Sequence, residues 1–172
     1  RHLEEMMQER AVFVDHSTIN RWAIRFLPML EKISRRQHKR PVGCSWRMDE
    51  TYIKVKGAWK YLYRAVDKSG RTIDFLLTAK RDKAAIDEIN ANKETSINIR
   101  QVKYLNNIVE QDHRAVKRIT RPMLNFKSFH TAKAVLAGIE LMHMIRKGQM
   151  IGAGDKSFAE QFYALAGQIR SA

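Results

Sequence analysis

Asp49 sits inside an alternating, strand-forming run from Ser45 to Val55, with Met48 before it and Glu50 after it. A carboxylate within a strand is costly unless a cation or a partner compensates it. Glu110 opens a second acidic group, Glu110-Gln111-Asp112-His113, on a helix-forming stretch. Lys117 follows seven residues after Glu110, two helical turns on and therefore on the same face. Carboxylates on a strand and on a facing helix can share divalent cations. Mg²⁺ or Mn²⁺ takes carboxylate and water oxygens and leaves positions for phosphate. Two such ions about 4 Å apart activate an attacking water or 3′-hydroxyl and stabilise the leaving oxygen. The same residues also have plainer uses. Asp49 fits a surface position on an edge strand, and Glu110 and Lys117 fit solvated helix charges. His113 and His143 fit packing or surface positions.

The elements that would position these groups are legible from periodicity. Trp59 to Asp67 alternates again after the turn Lys56-Gly57, and Arg71 to Thr78 follows the turn Lys68-Ser69-Gly70. Two tight connections between alternating runs predict a three-stranded antiparallel meander. Lys80 to about Asn92 then reads as helix and Ile97 to Lys103 as strand. A helix capped by Asn106 or Asn107 runs to just before Pro122, another spans Lys133 to Lys147 with Gly148 as its stop, and a last runs from Phe158 to about Ile169. A meander followed by helix, strand and helices is an α/β order that fits an RNase H-like, integrase-type core.

The chain carries 32 Lys and Arg against 18 Asp and Glu, a net charge of +14, with a pI near 10.2. That excess suggests a polyanionic partner, nucleic acid ahead of a membrane surface. Cys44 is the only cysteine, which excludes an intramolecular disulfide and a Cys-rich zinc site and suits a reducing cytoplasm. No apolar run reaches the length of a membrane span, and no signal peptide is visible. The sequence opens at Arg1 inside a helix-like segment, which reads as a fragment or a processed chain.

Residues 1–31 read as two helices. Leu3, Met6, Met7 and Val12 recur at roughly helical spacing, and Val14 to Thr18 breaks the pattern, with Asp15, Ser17 or Thr18 as candidate N-caps. A second run places Ile19, Trp22, Ala23, Phe26 and Leu27 on one face, with Trp22 expected in the core. Pro28 is expected to kink or end it. This order is that of a helix-turn-helix, with Thr18, Asn20, Arg21 and Arg25 placed to meet DNA, although any small helical hairpin would look the same. The basic stretch 32–41, with Arg35, Arg36, Lys39 and Arg40, reads as an interdomain linker that meets phosphates or is simply solvated.

Three stretches, Asp15-His16-Ser17-Thr18-Ile19-Asn20-Arg21-Trp22, Trp46 to Gly57 and Tyr104 to Arg114, resemble the small insertion-sequence DDE transposases that form replicon cointegrates. Gly138 to Ile145 resembles the same family near its C-terminus. The resemblance implies a polynucleotidyl transferase acting on double-stranded DNA at terminal inverted repeats and at a target, working as a homo-oligomer with Mg²⁺ or Mn²⁺ and no membrane. It implies that Asp49 is the first catalytic, metal-binding Asp and Glu110 the catalytic, metal-binding Glu. Lys117 matches the basic residue that positions DNA, and residues 1–31 match the helix-turn-helix. Such a protein would reside in the bacterial cytoplasm, at the nucleoid.

One departure bears on chemistry. The family's second Asp, after a fourth strand, has no counterpart, because Thr78 to Lys83 passes directly into Ala84 to Asn90. An internal deletion near residues 83–85 is expected, leaving residues 42–172 as a catalytic domain short of one strand. Asp74 precedes Glu110 at a tempting distance but matches the third strand, away from the metal site. Asp82 and Asp87 are weaker substitutes. The strand Ile97 to Lys103 is expected to fill the vacated slot beside the first strand.

Overall fold

The computed structural model describes residues 2–38, 41, 45–79 and 107–168. Packing divides the chain into two compact units, one of residues 1–40 with 130–172 and one of residues 41–129.

In the second unit, strands β1 (Trp46–Val55), β2 (Ala58–Asp67) and β3 (Thr72–Thr78) form an antiparallel sheet of order β1-β2-β3. The alternation of β1 is met: Thr51, Ile53 and Val55 are buried while Tyr52 and Lys54 are exposed. The β1–β2 turn has only Lys56 and Gly57 between the strands, at φ 51° and 78°. Two successive positive φ angles match the right-handed twist of a hairpin, and Gly57 adopts its own without a Cβ penalty. Asp67 closes the second turn, its Oδ1 accepting from the backbone N–H of Ser69 (2.8 Å) and Arg71 (2.9 Å). Residues 62–67 of β2 are all buried, as expected of a central strand with both faces covered.

Helix α3 (Asn107–Thr120) packs on β1 and β2. Val109, Asp112, His113 and Val116 make its buried stripe at helical spacing. After a 3₁₀ turn at Arg121–Met123 the chain returns to the sheet. Phe126 bridges Val55 in parallel, its N–H donating to Lys54 O (3.0 Å) and its carbonyl accepting from Lys56 N–H (2.8 Å).

The first unit holds α1 (His2–Gln8), α2 (His16–Ile33), α4 (Phe129–Arg146) and α5 (Phe158–Gly167). Asp15 caps α2, accepting from Thr18 N–H (2.7 Å) and Ser17 Oγ–H (2.8 Å), and hydrogen bonding from the Thr18 side chain, then the Thr18 backbone and Ser17, holds its pKa down at about 2. Its core joins Leu30, Leu141, Met144, Ile145, Met150 and Leu165. Gly138 allows close passage of α2, since a Cβ there would meet Leu27 Cδ1 at 2.5 Å. Gly148, at φ 63°, ends α4 as expected.

The structure bears on three further expectations. Pro28 does not end α2, which continues to Ile33: packing of Leu27 and Leu30 on either side outweighs the lost N–H. Trp22 is 41% exposed rather than core, because burial in α2 is concentrated at its C-terminal end, at Leu30. The first part of the basic stretch is helical, running from α2 into a π-type turn at Ser34–His38, where buried Ser34 donates to Met150 Sδ (3.3 Å). Lys39 and Arg40, the deletion point near 83–85, the helix of residues 80–92 and the strand of residues 97–103 lie outside the described residues.

Leu62 is fully buried in the middle of β2. Leu62→Ala is expected to lower stability by about 2–5 kcal/mol, read from urea unfolding, through lost burial and the cavity left behind. An effect below about 0.5 kcal/mol, the scale of a surface substitution, would show that the sheet is not the core of its unit.

Candidate active site

Asp49 has the same strand parity as Thr51, Ile53 and Val55, which are buried on the core side of β1. Its side chain keeps 27% of its surface exposed. Directly across the ladder lies Arg64, whose side chain is fully buried. A buried guanidinium demands a partner. Arg64 Nη2 lies 3.5 Å from Asp112 Oδ2 on α3 and donates to Thr72 Oγ1 on β3 at 3.4 Å. One charged side chain thus links the strand facing Asp49 to the helix that carries Glu110.

His113 occupies the next position of the same stripe. Its Nε2 stands 3.7 Å from Asp49 Oδ2, beyond hydrogen-bond range, and both ring nitrogens are buried with no hydrogen-bond partner among the described residues. Burial first, then the charges of Arg64 and Lys117, push its pKa down to about 4 against an opposing pull from Asp112. The ring is neutral at pH 7, so the contact with Asp49 is not an ion pair there.

Burial raises the pKa of Asp49, and Glu110 and Glu50 raise it further by repulsion, against the lowering effects of the Glu50 backbone N–H and of Lys117. Asp49, Glu110 and Lys117 therefore share one electrostatic neighbourhood. Glu110 and Lys117 lie on the exposed rim of α3 while Asp112 and His113 face inward. Carboxylate oxygens are hard donors, the chemistry that suits Mg²⁺ or Mn²⁺. Among the described residues no group of three or more His, Cys, Asp or Glu side chains is arranged to hold a metal ion. Asp74 is ruled out by register: it pairs with Ala65, the partner of Met48, so it points to the opposite face from Asp49 and lies two strands away. Asp82 and Asp87 lie outside the described residues.

The N-terminal residues singled out for DNA belong to the other unit. Asn20, Arg21 and Arg25 are exposed on α2 and Thr18 is half-buried. Arg21 donates to Thr18 Oγ1 (2.8 Å), and Arg25 lies over the Phe26 ring at 5.6 Å. Arg35 is held by Glu31, and Arg36 is exposed. Arg64 and Asp112 escaped the sequence reading. Their signals were an Arg within the run Leu62-Tyr63-Arg64-Ala65-Val66 and an Asp on the apolar stripe of a helix.

Two measurements test this arrangement. Removing the carboxylate in Asp112→Ala leaves a buried cation and is expected to cost about 3–5 kcal/mol in urea unfolding. A loss comparable to an exposed acidic residue would mean that Arg64 is compensated elsewhere. His113 takes its proton near its ordinary value of 6.5 when unfolded and near 4 when folded, so the unfolded state binds more protons between those values. The His113 contribution to stability is therefore lost as pH falls from about 6.5 to 4, and His113→Gln is expected to flatten that slope. An unchanged slope in the variant would place the acid sensitivity in another group.

The DDE domain family of IS240 transposases matches this chain in two pieces, residues 43–89 and 83–149. The transposase of the insertion sequence-like element IS431mec from Staphylococcus aureus is 36% identical over 178 aligned positions, covering 86% of this chain and 77% of that protein. The transposase of insertion sequence element IS257 in transposon Tn4003, also from Staphylococcus aureus, matches with the same identity and coverage. Since 86% of 172 residues is about 148, about thirty of the 178 aligned positions hold no residue of this chain. An uncharacterised protein of Yersinia pseudotuberculosis, pYV0051, is 56% identical over 39 residues, 23% of this chain and 36% of that protein. No solved structure matches.

Proposed function

The chain belongs to the DDE transposases of insertion sequences, and from that premise we propose that it is a copy that keeps Asp49 and Glu110 in place but has lost the second catalytic Asp. DNA cleavage and transfer are the general activity of the family. The observation that carries the reading is the packing of α3, which bears Glu110 and Lys117, on β1, which bears Asp49. These two carboxylates would hold Mg²⁺ or Mn²⁺, which when bound activates the attacking hydroxyl and stabilises the leaving oxygen. Lys117 holds a DNA phosphate at the rim. His113, neutral and buried, keeps water away from the inner side of Asp49.

Recognition of the terminal inverted repeats falls to the helix-turn-helix of residues 1–31, through Thr18, Asn20, Arg21 and Arg25. Arg35, Arg36, Lys39, Arg40 and the net charge of +14 supply phosphate contacts, and a homo-oligomer brings two ends together. The remainder of the chain, residues 42–172, derives from the RNase H-like catalytic domain. The deletion near residues 83–85 is supported by the family match in two pieces that meet at 83–89 and by an alignment longer than the chain itself.

A second reading follows from the incomplete acidic set: a DNA-binding derivative that occupies inverted repeats, or joins full-length transposase in inactive mixed oligomers. It is favoured by the absence of a third metal-binding side chain beside Asp49 and Glu110 among the described residues. Strand transfer on inverted-repeat DNA in Mg²⁺ or Mn²⁺ separates the readings from full activity. Transfer is expected at least about 100-fold below that of a three-carboxylate relative, while footprinting shows protection of inverted-repeat over random duplex. Robust transfer that Asp49→Ala abolishes would overturn the impairment. Equal affinity for both duplexes would overturn specific recognition.

A further inference from the structure

A groove of about 620 Å³ lies within the same unit, bounded by the β1–β2 hairpin on one side and by the end of α3 and the segment after it on the other. Tyr52, Lys54, Trp59, Lys117, Arg121 and Leu124 give it its character. None of the described residues lining it is acidic. Its apolar surfaces are unusually open: Trp59 is 62% exposed, Tyr52 44% and Leu124 84%. Large apolar side chains grouped in one exposed cleft mark a binding surface rather than a core.

The walls are held in place. Lys54 sits 5.9 Å from the Trp59 ring centroid, and Tyr52 leans on Tyr61 with ring centroids 5.5 Å apart. Opposite them, Asn125 Oδ1 accepts from Gly57 N–H at 3.2 Å, and the Phe126 backbone is tied to Lys54 and Lys56. Between those anchors and α3, Leu124 adopts φ 56°, a left-handed conformation that a side chain rarely takes, and projects into solvent. Lys117 joins groove to site, because it lines the one and acts on the charge of Asp49 in the other.

We propose that this groove holds unpaired nucleotides of the DNA strand that approaches Asp49 and Glu110. Bases stack on Trp59 and Tyr52, phosphates lie on Lys54, Lys117 and Arg121, and Leu124 wedges against the last paired base. The inference rests on the reading of this chain as a DNA-acting protein and adds the strand state that the groove selects. A duplex keeps its base faces inside its own stack and offers only phosphates and edges, so it gains nothing from an exposed indole face. An unpaired base stacks on aromatic rings whatever its identity, with cations tracking the backbone. Apolar wedges beside such platforms part base steps.

The test uses the full chain and fluorescence anisotropy at fixed salt, with a labelled oligothymidylate and a labelled random duplex of equal length. Trp59→Ala is expected to weaken oligothymidylate binding about tenfold while duplex affinity stays within about twofold, and Trp59→Phe is expected to restore most of the loss. Trp59 is 62% exposed, so both variants are expected to melt as the parent does by circular dichroism. An equal loss on both probes, no loss on either, or a Trp59→Phe variant as weak as Trp59→Ala would overturn the proposal. So would displacement of oligothymidylate by polyglutamate as effectively as by unlabelled oligothymidylate, since the groove would then accept any polyanion. The readout involves neither strand transfer nor inverted-repeat sequence, so its failure leaves the transposase reading standing, and the converse also holds.

Discussion

Arg64 is the constraint on which the unit of residues 41–129 depends. A guanidinium fully buried in a central strand needs compensation, and Asp112 on α3 supplies a carboxylate to it. The requirement fixes how α3 is rotated about its axis. With Asp112 turned inward, Val109, His113 and Val116 share the buried stripe, and Glu110 and Lys117 are left on the rim. The placement of Glu110 near Asp49 is thus a consequence of charge compensation one layer beneath it.

The same pairing sets the character of the site. Arg64 and Lys117 hold His113 neutral, and Lys117 partly offsets the repulsion that Glu110 imposes on Asp49. Phe126 secures the far end of α3 to β1, so the helix is tied to the sheet at two levels.

In the other unit the capped start of α2 places Asn20, Arg21 and Arg25 on an exposed face, while Leu30 anchors its C-terminal end in a core with α4 and α5. A helix buried at one end and cationic and exposed at the other suits a nucleic-acid contact.

The sequence by itself determined the elements whose cause is local. Alternation in Trp46–Val55, the Lys56-Gly57 turn, a capped start of α2 among Asp15, Ser17 and Thr18 and the glycine stop at Gly148 all follow from backbone preference and side-chain period, and the structure has each of them, with Asp15 as the cap. Family resemblance rather than spacing is what groups Asp49, Glu110 and Lys117 as an expectation, since spacing alone favoured Asp74, which register puts on the opposite face from Asp49. Only the tertiary structure decided what depends on contacts between distant segments. Pro28 stays within a helix because its neighbours pack, Trp22 is exposed because burial in α2 falls at its other end, and Phe126 joins β1 although no strand pattern surrounds it. Arg64 and Asp112 lie 48 residues apart and meet only when α3 docks on the sheet. A buried charge has no local signature, because its cost and its compensation exist only once water has been excluded from around both partners.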